Sequence, residues 1–286
     1  MTTPLRAAYL GPPGTHSEAA LRAGAPAFGG GAVEGVPVAT LPEVVLAVQE
    51  GLTERAIAPV ESYSEGSVDV TIDTLAARAP DVTIVGEVIL PVRHALCAAP
   101  GVALDDVAVV VSHPQALAQC RAWLRRTLPD ARQVAWTSTA EAVREAGARG
   151  GAGEGWAGIG TTLAASLYGC AVLEDGIEDL HGNATRFAWL APAGTAPLRD
   201  ADKTSIVFAG AGADAPGWLV GCLSQFASRG VNLTRIESRP RHERLGDYLF
   251  FLDLDGGLHE PRVGEAVEAL RSRCEVVRVL GSYPSA

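Results

Sequence analysis

The stretch VAVVVSHPQALA, residues 107–118, runs a strand into a helix with almost nothing between them. Residues 107–111 are a β-branched run of the kind that lies in a strand covered on both faces. Pro114 occupies a first helical position, where its missing N–H costs nothing, so the helix opens there with Ser112 and His113 as the junction. The same junction recurs through the first 190 residues. Gly11-Pro12-Pro13-Gly14-Thr15 leads into a helix from about Ser17, and residues 62–67 into one from about Val68. Ser138-Thr139 and Thr161-Thr162 begin two more. Strand-like runs at 7–10, 56–60, 82–90, 156–159 and 186–190 alternate with these helices, which predicts an α/β fold with parallel-rich sheets.

The Pro/Gly/Ala-rich segment 191–202 reads as a linker, placing a first domain at 1–195 and a second at 203–286. The second is short and readable: strand 204–209, helix 216–228, strands 232–238 and 248–254, helix 261–273, strand 275–280. This βαββαβ order, with right-handed crossovers, predicts a ferredoxin-like sandwich with two helices on one sheet face.

Composition narrows the function. In 286 residues, 48% are hydrophobic and 20% charged, which excludes disorder as the main state. Five scattered cysteines without a CxxC pair argue against a disulfide scaffold or zinc ribbon. The N-terminus lacks a secretory signal and no run of about 18 apolar residues occurs, so a cytoplasmic protein without a membrane span is expected. A net charge of -10 opposes nucleic acid and anionic membranes as partners. Lys203 is the sole lysine and follows Ala201-Asp202 rather than a glycine turn, which removes P-loop and most Schiff-base chemistry. The six histidines show no HxxxH or HExxH spacing, so neither metal nor other cofactor is expected.

The strand-to-helix junctions carry the candidate chemistry. Taken singly, Ser or Thr at a helix start is ordinary capping. Several converging at the carboxyl ends of strands, near Thr15, Ser112 and Ser138, would form a site for a small anion without a lysine. The Gly11–Gly14 turn lets backbone approach a carboxylate. In Asn183-Ala184-Thr185-Arg186-Phe187, Arg186 either grips a carboxylate bidentately or makes a structural ion pair; spacing leaves the two open. Gln115 and Gln119 share a helix face, and His113 is either an acid or a cap.

These segments resemble a known family. GPPGTHSEAA from Gly11, APVESYSEGSV from Ala58, SHPQALAQC from Ser112 and NATRF from Asn183 together resemble the prephenate dehydratases. VNLTRIESRP from Val231 and DYLFFLDLDG from Asp247 resemble an ACT regulatory domain. The resemblance implies a two-lobed catalytic domain similar to type II periplasmic binding proteins, followed by the ferredoxin-like ACT domain. It implies conversion of prephenate to phenylpyruvate with loss of water and CO2, as a step of L-phenylalanine biosynthesis and without a cofactor. By the resemblance Thr185 is hydrogen-bond donor or general acid, with Arg186 and Phe187 catalytic beside it. Gly14, Thr15, Ser17, Glu61, Ser62, Ser112, Gln115, Gln119, Ser138 and Asn183 would bind substrate. L-Phenylalanine is the implied effector, at Gly217, Leu219, Asn232, Leu233, Glu237, Ser238, Arg239 and Pro240, and a homodimer or homotetramer is the implied assembly. The family's usual Glu-Asn-Ser stands here as Glu61-Ser62-Tyr63, its GTF as Gly14-Thr15-His16, and Trp218 replaces a small residue after Gly217. Arogenate dehydration, non-aromatising decarboxylation of prephenate and a non-catalytic amino-acid sensor are the alternatives, separable by product absorbance and by turnover.

Overall fold

Strand β5 (Val82–Pro91) leaves one α/β lobe and β11 (Ala184–Pro192) returns to it beside β5. A chain that exits and re-enters along neighbouring strands must run antiparallel there, and this pair organises the molecule. The computed structural model describes residues 3–150, 154–196, 200–210, 215–241 and 246–286.

The first lobe contains β1 (Leu5–Leu10), β2 (Val33–Val38), β3 (Arg55–Ser62), the short β4 (Gly66–Ser67), β5 and β11. Its helices are α1 (His16–Phe28), α2 (Leu41–Gln49) and α3 (Asp69–Arg78). Thr15 caps α1, while Thr40 and Glu43 form a reciprocal capping box at α2, as the sequence leads one to expect of Ser/Thr at helix starts. The second lobe holds β6 (Ala95–Ala98), β7 (Val109–Ser112), β8 (Arg132–Ala135), β9 (Trp156–Gly160) and β10 (Ala171–Asp175). Around them lie α4 (Pro114–Gln119), α5 (Arg121–Thr127), α6 (Thr139–Gly150) and α7 (Thr162–Tyr168). The chain passes between lobes at Val92 and Asn183, where the Val92 N–H donates to the Asn183 carbonyl at 2.8 Å.

Both sheets are mixed rather than simply parallel. β1 pairs parallel with β2 and β3, and β7 with β8 and β9, but β11 is antiparallel to both β3 and β5, and β6 to both β9 and β10. Of the five strands the sequence reading did not anticipate, β2, β8 and β10 lie at sheet edges, β4 is a two-residue pairing on β3, and β6 is interior. β2 contains Gly35 and Pro37, which an edge tolerates because one side of the ladder needs no partner. Of the expected linker 191–202, Ala191 and Pro192 belong to β11, and residues 197–199 lie outside the described residues.

The C-terminal residues form β12 (Lys203–Ala209), α8 (Trp218–Ala227), β13 (Leu233–Pro240), β14 (Tyr248–Asp255), α9 (Pro261–Arg271) and β15 (Val276–Tyr283). The sheet order β13-β14-β12-β15 continues through one parallel contact, Gly281 beside Ile84, into the sheet of the first lobe. Alternation along the strands decides what each face meets. Ile206, Phe208, Leu252 and Leu254 pack under α8 and α9. Val207, Phe251, Leu280 and Tyr283 join Val60, Ile72, Leu75 and Ile84 in the core of the first lobe. The second sheet face is therefore covered by the first lobe and not by solvent.

Candidate active site

A crevice of about 240 Å³ opens where the lobes meet. That volume lies just below the ~300 to 1,000 Å³ of drug-sized sites and suits a single-ring molecule. Ser62, Asn183, Thr185 and Phe187 line it from the first lobe and His94, Gln115, Gln119 and Thr139 from the second. Thr185 and Phe187 alternate on β11, so the hydroxyl and the apolar ring share the crevice face. Thr139 is the first residue of the twelve-residue α6, so a helix N-terminus opens beside the crevice. Among the described residues that line it, none is a lysine or arginine.

The second-lobe wall is organised by a histidine that the sequence reading passed over. His94 follows directly on the crossing between lobes and is 2% exposed. Its Nε2 lies 2.7 Å from Gln119 Oε1, so Nε2 carries the proton, and Gln119 Nε2 donates to Ser64 Oγ at 3.3 Å. That tautomer leaves Nδ1 as an acceptor. His94 Nδ1 and Asn183 Oδ1 are both buried in the crevice wall without a hydrogen-bond partner among the described residues. His16 stacks edge-on to His94 with ring centroids 5.4 Å apart, and its Nε2 lies 3.2 Å from the Arg93 carbonyl. Burial, then the neighbouring His94, push His16 down to about 4, and burial lowers His94 as well, so both rings are neutral near pH 7. A lone histidine inside the apolar run PVRHALCAAP was the available signal for His94.

Of the residues expected to bind substrate, Ser62, Gln115, Gln119 and Asn183 meet in the crevice with Thr185 and Phe187. The others are engaged elsewhere. The Gly14 N–H donates to the chain's own Glu18 carboxylate at 2.6 Å, and its carbonyl accepts from the Thr161 hydroxyl of the second lobe at 2.7 Å. With φ of 90° and Ala164 Cβ 2.9 Å from where a side chain would begin, Gly14 serves close contact between lobes. Thr15 Oγ1 donates to the Leu10 carbonyl, and Ser17 is buried in α1. Ser112 is fully buried, its hydroxyl donating to the Ile159 carbonyl at 2.7 Å; an internal partner has taken the group expected to face an anion. Ser138 caps α6 and lines a separate cleft with Gly11, Pro37 and Thr137. His113 borders the crevice while its Nδ1 accepts from the Gln115 N–H, a capping arrangement.

Arg186 is the principal correction. Lying between Thr185 and Phe187 on a strand, its side chain points to the opposite face and away from the crevice. There Nη2 is 2.7 Å from Asp253 Oδ2, Nη1 is 3.2 Å from Glu87 Oε2 and Nε is 3.2 Å from Glu61 Oε2. The guanidinium and Glu61 thus form a structural ion cluster rather than a grip on substrate. Burial alone would lower the Arg186 pKa, but Asp253, Tyr283 and Glu87 outweigh it and raise it. Burial likewise works to raise Asp253, yet Arg186, the Ser205 hydroxyl and Arg235 hold the carboxyl below its ordinary value.

Most of the expected effector residues lie on or beside β13. Arg239 is bound to Asp69 and Asp73 on α3, at 2.6 and 3.0 Å, and Glu237 pairs with Arg235. Asn232 donates to Asp255 at 2.8 Å, and Leu219 and Leu233 pack on the core beneath α8 and α9. Ser238 and Pro240 are exposed on β13, an edge strand, and Gly217 with φ of 84° precedes α8. Trp218 packs with tilted ring contacts against Phe208 and Phe250, each 6.0 Å between centroids.

Residues 7–195 match the family described as prephenate dehydratase. The prephenate dehydratase of Mycobacteroides abscessus is 43% identical over 283 residues, covering 98% of this chain and 90% of that protein. The crystal structure of prephenate dehydratase in complex with L-Phe from Arthrobacter aurescens superposes with a TM-score of 0.86 at 37% identity, covering 98% of this chain and 90% of that one. A structure described as GqqA, a quorum quenching acylase, is also similar, with a TM-score of 0.85 at 29% identity and coverage of 98% of both chains.

Proposed function

The chain belongs to the prephenate dehydratase family, and from that premise we propose which of its residues perform the reaction. The enzyme is a lyase converting prephenate to phenylpyruvate, CO2 and water. In that reaction the electron pair of the bond to the ring carboxylate moves into the ring as CO2 departs. The C–O bond to the ring hydroxyl breaks, and hydroxide takes up one proton to leave as water. Gain of an aromatic ring supplies the driving force, so the protein needs only to orient the dianion and assist the leaving oxygen.

Thr185 is the donor to that oxygen, and the observation that carries this reading is its hydroxyl beside the apolar Phe187 ring in the inter-lobe crevice. A threonine hydroxyl is a weak acid, so it acts mainly as a hydrogen-bond donor where water is excluded. Gln115, Thr139 and Ser62 supply neutral donors for the carboxylates. With no arginine among the described residues that line it, the crevice holds the ring carboxylate loosely enough for it to leave as CO2. The two partnerless acceptors, His94 Nδ1 and Asn183 Oδ1, match the single donor of the prephenate dianion, its ring hydroxyl. The same acceptors favour a second reading, arogenate, whose ammonium brings further donors.

Thr185→Ala lowers kcat by about 100-fold or more if it assists departure. Incubation with prephenate, with phenylpyruvate followed by its absorbance, tests this, and a parallel assay with arogenate separates the two substrates. Unchanged kcat in Thr185→Ala refutes the role. Residues 203–286 are the regulatory unit in this reading, with L-phenylalanine as effector, supported by the L-Phe complex of the Arthrobacter aurescens relative. In this reading the chain forms a homo-oligomer by pairing of a second copy along the β13 edge, a proposal supported by the open strand edge and by Ile236, 52% exposed there.

A further inference from the structure

Behind the crevice, on the far face of β11, lies a buried polar cluster that the reaction as described leaves unused. Asp253, on β14 of the C-terminal sheet, is 4% exposed. It accepts from Arg186 Nη2 at 2.7 Å and from the Ser205 hydroxyl at 2.6 Å. Ser205 Oγ is in turn 2.7 Å from the Tyr283 hydroxyl. Glu87, also buried, sits between Arg186 and Lys203, whose Nζ is 2.5 Å away. A planar guanidinium hydrogen-bonded to Glu87 on β5 and Asp253 on β14, with the Glu61 carboxylate of β3 beside its Nε, has little freedom to rotate or translate.

The backbone that carries Arg186 is the place where such restraint counts. Arg186 lies opposite Glu61 but Phe187 lies opposite Pro59, so the register of β11 against β3 slips between these two residues. Ladder hydrogen bonds are locally disrupted at such an irregularity, and the direction of the flanking side chains follows the twist adopted there. Those flanking side chains are Thr185 and Phe187, both in the crevice.

We propose that Asp253 is a positioning residue for the dehydratase reaction: by anchoring Arg186 from the C-terminal sheet, it sets the direction in which Thr185 presents its hydroxyl to the crevice. This rests on the dehydratase reading. Asp253 never touches substrate, and it acts only through the strand that Arg186 fixes.

The test uses the full-length protein and the Asp253→Asn variant, which keeps the shape and the acceptor for Ser205 but removes the charge. Anchoring within 1 Å governs a step of this kind, so kcat falls on the order of 10- to 100-fold while KM for prephenate stays within about twofold. In a Thr185→Ala background, Asp253→Asn produces no further loss, because there is no hydroxyl left to misplace. A kcat within twofold of the parent, a loss confined to KM, or a loss that multiplies with that of Thr185→Ala overturns the proposal. If Asp253→Asn fails to fold, Ser205→Ala replaces it. Removing the hydroxyl that orients the carboxylate lowers kcat by about two- to fivefold at constant KM, and unchanged kcat overturns the proposal. Failure of the parent protein itself to form phenylpyruvate overturns the dehydratase reading instead, so the two failures are distinct.

Discussion

Replacing Arg186 with methionine separates a substrate ligand from an internal anchor, because the two roles predict opposite readouts. Methionine keeps most of the apolar stem volume and removes the charge. In the parent cluster two cations, Arg186 and Lys203, face two buried carboxylates, Glu87 and Asp253, whose side chains are 3% and 5% exposed. Without Arg186, Glu87 retains Lys203 at 2.5 Å, whereas Asp253 retains the Ser205 hydroxyl at 2.6 Å and the more distant field of Arg235. One carboxylate is then buried without its close counter-ion, a change that costs about 3 to 5 kcal/mol. For a chain of this size that is a fall of roughly 5 to 10 °C in Tm. Differential scanning calorimetry or tryptophan fluorescence measures it, and KM for prephenate stays within about threefold because the guanidinium faces away from the crevice. Adding Asp253→Leu to Arg186→Met recovers most of the stability, since an apolar pair leaves no unpaired charge. The pH dependence has a definite sign. The folded-state pKa of Asp253 is depressed, so the stabilisation from the pair is present above the ordinary carboxylate range and is lost as pH falls through the folded value. The penalty of Arg186→Met therefore shrinks in acid. A rise in KM of tenfold or more with an unchanged melting curve would refute the assignment and return Arg186 to the substrate.

Three further outcomes follow from the same geometry. His16 titrates near 4 in the fold against about 6.5 when unfolded, so the unfolded chain takes the proton first. Stability accordingly falls as pH drops from about 6.5 to 4, by up to about 3 kcal/mol, and His16→Phe flattens that slope; parallel Tm–pH curves for the two proteins would contradict this. Thr161→Val removes the hydroxyl that caps α7 at 3.0 Å and binds the Gly14 carbonyl at 2.7 Å, costing about 1 to 3 kcal/mol in denaturant unfolding. Gly14→Ala forces a side chain against Ala164 at 2.9 Å with φ of 90°, costing about 2 to 4 kcal/mol, and a variant as stable as the parent would disprove the close lobe contact.

Local rules made much of this protein legible from its residues alone. The β-branched run at 107–111 ending at Pro114 became β7 and α4, and Thr15 and Thr161 cap the helices they precede. Edge strands such as β2 escaped notice because half of their ladder needs no partner, so Gly35 and Pro37 were tolerated where an interior strand would exclude them. The NATRF cluster, through its resemblance to a known family, pointed to Thr185, Arg186 and Phe187 together, whereas alternation along β11 turns Thr185 and Phe187 into the crevice and Arg186 to the opposite face. His94 left only a faint trace, a single polar residue in an apolar run.

What only tertiary structure decided is which partner each polar group takes. A guanidinium fork fits a substrate carboxylate and an internal one equally well, and the internal ones are 67 and 99 residues away in the chain, at Asp253 and Glu87. The Gly14 N–H, the Ser112 hydroxyl and the Arg239 side chain were likewise claimed by Glu18, by the Ile159 carbonyl and by α3. Residue type determines what a group can bind, and spacing determines the strand or helix that carries it. The burial that turns a possible partner into the actual one depends on packing between segments far apart in the chain, because a buried polar group must be satisfied by whatever the fold brings within 3 Å of it.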